Sequence, residues 1–304
     1  MKLIQPYFEI LYQRGYTVNH ILRFITKVAY TCYKTDKEIT DDSAKDFVNK
    51  LVKSGHLAML EHGTVYLAIP RGFFSRIVYG DIINRYKENK YSVVNYGEEF
   101  PIDDSGVLQG VHSPTPYAYI TTNLRVIEEN QWWGDLEYIC KPTQFHAKRR
   151  TVKFVTDRGV SHELVRHRTF SFAQESTRYC NYSKDKFGNE LTFISPTWYD
   201  KADEEAKKVF DEFLCVCEDN YLYYINRGFT PQQARQVLPN ALKTEIVLTA
   251  FESDWIHFFN LRSLGTTGKP HPDMKALADR VLEDFIEEFP TFKEAFTIIN
   301  NLTE

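Results

Sequence analysis

Three short runs, TVYLAI (64–69), YAYITT (117–122) and TVKFV (151–155), are rich in β-branched and aromatic residues and read as strands. The segments on either side of them repeat apolar residues at helical spacing. Strands bracketed by helices, rather than alternating with them, predict an α+β fold: an antiparallel or mixed central sheet flanked by helices. After Thr40, the residues Ala44, Phe47, Val48, Leu51 and Val52 share one helix face, and Gly55 stops that helix so that His56 emerges from its end. Helical spacing returns over 204–226. Thr230, Pro231 and Gln233 then supply the N-cap, first residue and capping-box partner of a short helix that holds Arg235 and ends before Pro239. The final long helix opens at Asp273 and lines up Met274, Leu277, Val281, Phe285 and Phe289 before Pro290. No repeat or linker interrupts the chain, so residues 1–304 read as one domain, with an irregular, aromatic-rich insertion around 72–140.

Charge narrows the function classes. Lys plus Arg total 37 against 41 for Asp plus Glu, a formal net charge of −4, so no global basic field draws the chain to nucleic acid or an anionic membrane. Any anion site must be local. Pro6, Glu9 and Gln13 break up what a signal peptide would need as an apolar core, and no apolar stretch reaches membrane-spanning length, which predicts a soluble, cytoplasmic protein. The five cysteines are odd in number and scattered, as suits a reducing compartment. HELVRH (162–167) resembles a zinc-protease helix, but its histidines are five apart, about 140° around a helix, and cannot share a metal from one face. His56, Glu61 and His62 are too few for a metal site, and none is assigned.

The run RHRTFSFAQESTRY (166–179) is the local anion candidate. Arginine offers a rigid fork of donors suited to phosphate or paired carbonyl oxygens, and Ser176 and Thr177 add hydroxyl and backbone donors. On spacing alone, a solvated loop with a few surface ion pairs is the plainer reading.

Motif content goes further than spacing. Arg166-His167-Arg168, seven residues, then Ser176, continuing through Arg178 and Tyr179, resembles the signature of the flavin-dependent thymidylate synthases. GHLAMLEH (55–62), SHELVRHR (161–168), ARQVLP (234–239) and NLR (260–262) are similar to further landmarks of that family, in its order. The sequence departs from the family's pattern at Ala58, Glu163, Ala173, Gln174, Phe251 and Ser253, where Ser, Gln, Asn, Glu, Asn and Arg are usual.

The resemblance implies reductive methylation of dUMP to dTMP. Methylenetetrahydrofolate would be the carbon donor, and NADPH the reductant, acting through FAD. It assigns Arg262 to the N3–O4 edge of uracil, where a cation stabilises charge that develops as the ring reacts, and counts His56 with it as catalytic. His56 and Glu61 would lie against the flavin. Arg166, His167 and Arg168 would contact its N1–C2=O edge, with Gln174 and His257 as further FAD contacts. Glu163, Arg166, Gln174, Glu175, Ser176, Thr177 and Arg178 would hold dUMP, and Arg235 would reach its phosphate from a neighbouring subunit of a homotetramer. Two alternatives stand beside this reading. One is a catalytically impaired family member that binds nucleotide and flavin; the other is a nucleic-acid-binding protein using the RHR triplet with Lys148, Arg149 and Arg150.

Overall fold

The computed structural model describes residues 1–35, 37–71, 75–98, 116–184 and 188–302, with backbone alone at 75–78 and 297–302. The first half runs β1 (Lys2–Ile4), β2 (Tyr7–Leu11), α1 (Val18–Tyr33), α2 (Asp41–Lys53), a 3₁₀ turn (Leu57–His62), β3 (Thr64–Pro70), α3 (Ser75–Glu88), β4 (Val93–Gly97), β5 (Tyr117–Asn123) and α4 (Leu124–Asn130). The second runs β6 (Arg149–Asp157), α5 (Arg158–Leu164), β7 (Ser171–Gln174), β8 (Thr192–Ile194), α6 (Glu204–Asn226), α7 (Pro231–Ala234), β9 (Lys243–Phe251), α8 (Glu252–Arg262), α9 (Pro272–Glu288) and α10 (Pro290–Leu302).

The α+β reading holds, and the strands fall into more than one sheet. A four-stranded antiparallel sheet has the order β2-β6-β9-β7, with Arg149 opposite Phe251 and Asp157 opposite Lys243 across its long central pair. TVKFV lies within β6. TVYLAI and YAYITT pair with each other instead, Thr64 opposite Asn123, in a three-stranded antiparallel sheet of order β3-β5-β4. A short parallel pair, β1 with β8, completes the set.

Alternation along β6 and β9 decides what covers each face. Phe154, Ile246 and Leu248 face an aromatic cluster from α8, α9 and α10 that includes Trp255, Phe258, Phe259 and Phe285. Each such side chain, once buried, contributes about 1.5–3 kcal/mol. On the opposite face Leu11, Ala173 and Val247 pack against Phe24, Val28 and Cys32 of α1. A second stripe of α1, Ile21, Leu22 and Ile25, packs on Val65, Leu67 and Ile120 of the smaller sheet. Helix α1 is apolar on two sides because it serves two sheets.

Local signals set the element ends. The Thr40 hydroxyl accepts from the Ser43 N–H at 3.2 Å while the Ser43 hydroxyl accepts from the Thr40 N–H at 2.9 Å, and Gly55, at φ +73°, leaves α2 through the left-handed region. Two expectations need correction. The helix over 273–289 is not the last: Pro290 ends it and opens α10, since a proline that cannot continue one helix is well suited to start the next. The 72–140 segment is not irregular where it is described. Most of it forms α3, β4, β5 and α4, and β5 is the central, fully buried strand of its sheet; residues 72–74 and 99–115 lie outside the described residues. Among the described residues no helix is long and apolar enough to cross a membrane.

Candidate functional site

Asp157 closes β6 and caps α5, its Oδ1 accepting from the Val160 N–H at 2.8 Å. Helix α5 ends at Leu164, and the turn that follows buries His167 while leaving Arg166 and Arg168 exposed. His162 is exposed on α5 and His167 lies beyond its end, so the two do not form a helical pair. Arg262, the last residue of α8, donates to Glu163 and His167: Nη1 to Glu163 Oε2 at 2.6 Å, Nη2 to the Glu163 carbonyl at 3.1 Å, and Nε to His167 Nε2 at 3.1 Å. A guanidinium can only donate, so His167 Nε2 is the acceptor and the neutral ring carries its proton on Nδ1. Burial, then the nearby Arg262 and His257, push His167 down to about 4. Its ring packs against Phe170 and Phe258, at centroid distances of 5.6 and 4.9 Å.

A second group forms where β7 runs into the 175–178 loop. Gln174 Nε2 donates to Ser161 Oγ at 3.0 Å and Thr244 Oγ1 at 3.2 Å. Ser176 donates its N–H to the Cys32 carbonyl at 3.4 Å, and its hydroxyl accepts from the Arg178 N–H at 3.3 Å. Arg178 Nε reaches Gln232 Oε1 at 3.0 Å. The Thr230 N–H donates to Gln233 Oε1 at 3.0 Å, fixing the start of α7, and Arg235 follows at its end. Arg235 Nη1 then donates to Thr177 Oγ1 at 3.1 Å. Within one chain, α7 thus delivers Arg235 to the 176–178 loop.

Glu175 turns inward from that loop. Its carboxylate accepts from the Tyr182 hydroxyl at 3.1 Å and lies 3.0 Å from Lys243 Nζ and 3.7 Å from Lys34 Nζ; both lysines also pair with Glu245. Burial pulls both ammonium groups down. For Lys34 it prevails, whereas at Lys243 the two glutamates outweigh it and raise the pKa, and Glu245 in turn is lowered by Lys243 and Lys34 against its own burial. This cluster was not legible in the sequence. Lys34 and Lys243 line a 960 Å³ cleft with Tyr30 and Lys153, and Lys153 is itself paired with Glu9 at 2.9 Å.

His56 is exposed at the end of α2, and His257 is exposed on α8. Glu61 Oε1 accepts from Arg125 at 2.5 Å, and its carbonyl accepts from Arg149 at 2.9 Å. The neighbouring His62 is buried, 2.7 Å from Thr249 Oγ1 on β9, and is pushed down to about 3 by burial and then by Arg149. Glu61 thus stands where the 3₁₀ turn meets the larger sheet. Phe251 lies 5.5 Å from the Arg149 guanidinium. Of the cations beside β6, Lys148 bonds the Thr143 carbonyl, Arg149 bonds the Glu61 carbonyl and the Thr64 hydroxyl, and Arg150 pairs with Glu252 at 2.6 Å.

Glu163, His167, Gln174, Ser176, Arg178, Arg235 and Arg262 fall within 143–291, the stretch matching the family described as thymidylate synthase complementing protein (Thy1), whereas Cys32, Lys34, His56 and Glu61 precede it. A flavin-dependent thymidylate synthase of Geobacter sulfurreducens is 38% identical over 106 residues, covering 34% of this chain and 43% of that protein. One from Synechocystis sp. is 30% identical over 158 residues, covering 50% of this chain and 72% of that protein. The chain thus spans less than half of the first relative and nearly three quarters of the second. A UMP/dUMP methylase PolB from Streptomyces cacaoi, solved with 5-Br dUMP bound, superposes with a TM-score of 0.45 at 14% identity, covering 98% of this chain and 97% of that one. With the Synechocystis relative matched over most of its length and the signature residues in their order, the chain belongs to the flavin-dependent thymidylate synthase family.

Proposed function

We propose that the protein converts dUMP to dTMP, taking the carbon from methylenetetrahydrofolate and reducing equivalents from NADPH through FAD. The observation that supports this best is Arg262, whose three guanidinium nitrogens are fixed by acceptors on and just after α5, the element that leads into the signature. A cation oriented before substrate arrives needs little reorganisation when charge develops on the pyrimidine ring.

The flavin, when bound, supplies the hydride chemistry. The residues present suit it at one end: Arg166 and Arg168 flank buried His167 with exposed side chains, and His56 is exposed at the end of α2. Those cations favour an anionic reduced isoalloxazine. Ser176, Arg178 and Arg235 would take the dUMP phosphate, with Thr177 bracing Arg235. Glu175 acts in this scheme from inside, by holding the loop. We also assign the protein to the cytoplasm and to a homotetramer in which the Arg262 group of one chain completes the phosphate group of another, an assembly whose mass sedimentation would read.

Purified protein supplied with FAD, NADPH, methylenetetrahydrofolate and dUMP is expected to be yellow and to form dTMP. Uptake of FAD without dTMP would favour the impaired-member alternative, and a protein that binds neither FAD nor dUMP would end both readings.

A further inference from the structure

We infer that Glu163 sets how much of the Arg262 charge reaches the substrate ring, acting as a positioning residue that both aims the guanidinium and opposes it. The inference rests on the function proposed above. Two acceptors hold Arg262 in different ways. His167 is neutral, and its Nε2 orients the guanidinium without cancelling charge. Glu163 places a carboxylate oxygen 2.6 Å from Nη1 and its own backbone carbonyl 3.1 Å from Nη2. Both side chains are largely withdrawn from water, at 20% exposure for Arg262 and 30% for Glu163, so solvent only partly screens the pair. Among the described residues, Glu163 on α5 is the carboxylate bonded to the guanidinium and His167, in the turn after it, is the imidazole; His257 on α8 acts on His167, and the Arg166 N–H meets the same Glu163 carbonyl at 3.2 Å.

A negative group beside the cation raises the cost of placing further negative charge on the uracil ring, whether at O4 in the transition state or at N3 on ionisation. Orientation and neutralisation therefore oppose one another in a single side chain. Glutamine separates them. It keeps an oxygen for Nη1 and carries no charge.

Fluorine NMR of 5-fluoro-dUMP bound to the flavin-loaded protein reports ionisation of the ring at N3. Glu163→Gln and Glu163→Ala are both expected to lower the apparent N3 pKa of the bound ligand by about one unit relative to wild type, the low end of a near-charge effect because the pair is partly hydrated. Turnover should separate the variants. Glu163→Gln should raise kcat for dUMP about tenfold with little change in KM, whereas Glu163→Ala, which leaves Nη1 without its acceptor, should raise KM. An N3 pKa unchanged in both variants would mean that Glu163 only braces Arg262, and the inference would fall. If wild-type protein binds neither dUMP nor its fluoro analogue, it is the functional reading that fails, a result distinct from the first.

Discussion

Arg262 and Lys243 are both cations held by glutamates within one fold, and they differ in how completely they are answered. Lys243 and Lys34 face Glu175 and Glu245, two charges against two, with Tyr182 adding a hydroxyl to Glu175. Around Arg262 the count does not close: one carboxylate and one neutral imidazole sit beside a turn that also exposes Arg166 and Arg168. A balanced cluster offers a ligand little to bind, whereas an excess of cation waits for an anion. Under the proposed function the first is a brace and the second a site.

The contrast can be broken from either side. Arg262→Ala should lower dTMP formation by about 10²–10³-fold, the loss typical of one electrostatic stabiliser of a transition state, while flavin binding, NADPH oxidation and the melting temperature stay close to wild type. A collapse in stability would place Arg262 with the braces. Lys243→Met should do the reverse, costing about 3 kcal/mol in urea unfolding because it leaves buried carboxylates under-compensated. A stable variant with impaired turnover would move Lys243 into the site.

Acid should separate the two groups with a smaller effect. His167 has its pKa depressed in the folded state to about 4, so it favours folding above its unfolded value near 6.5, and that contribution is lost as pH falls from about 6.5 towards 4. The loss should reach about 1–2 kcal/mol at pH 5. Glu245 is also depressed, from 4.5, so its contribution survives that window and is lost only below it. Unfolding measured from pH 7 to pH 5 should therefore show a slope, shared with the depressed His62 and His146, that His167→Gln reduces and Glu245→Gln leaves unchanged. Equal slopes in the two variants would erase the distinction.

Sequence reading located what local physics dictates. Thr40 and Gly55 bounded α2, the stripe from Met274 to Phe289 marked α9, and the RHR signature coincides with the turn after α5 that buries His167. The run TEIVLTAF, part of β9, carries the same β-branched signal as TVKFV and was readable on the same grounds. Strands β1, β7 and β8 span only three or four residues, too few to show a period. Partners were another matter. Glu163 meets Arg262 across 99 positions, and Lys34 meets Glu245 across more than two hundred; no periodicity encodes such contacts. Likewise, the three strand candidates carried no mark of belonging to two sheets, since register depends on the packing of α1 between them.

Helix α1 has a consequence for how this chain could be inherited or divided. The stretch that matches the family begins at residue 143, yet the Ser176 N–H is held by the carbonyl of Cys32, and Glu175, the residue before it, rests on Lys34. Both anchors lie at the end of α1, which is itself wedged between two sheets. The recognisable segment is therefore not a transplantable module. Moved alone, it would keep the letters of its signature while losing the backbone and charge contacts that shape the 175–178 loop. Substitutions along α1 can consequently alter that loop without touching a single letter of the motif.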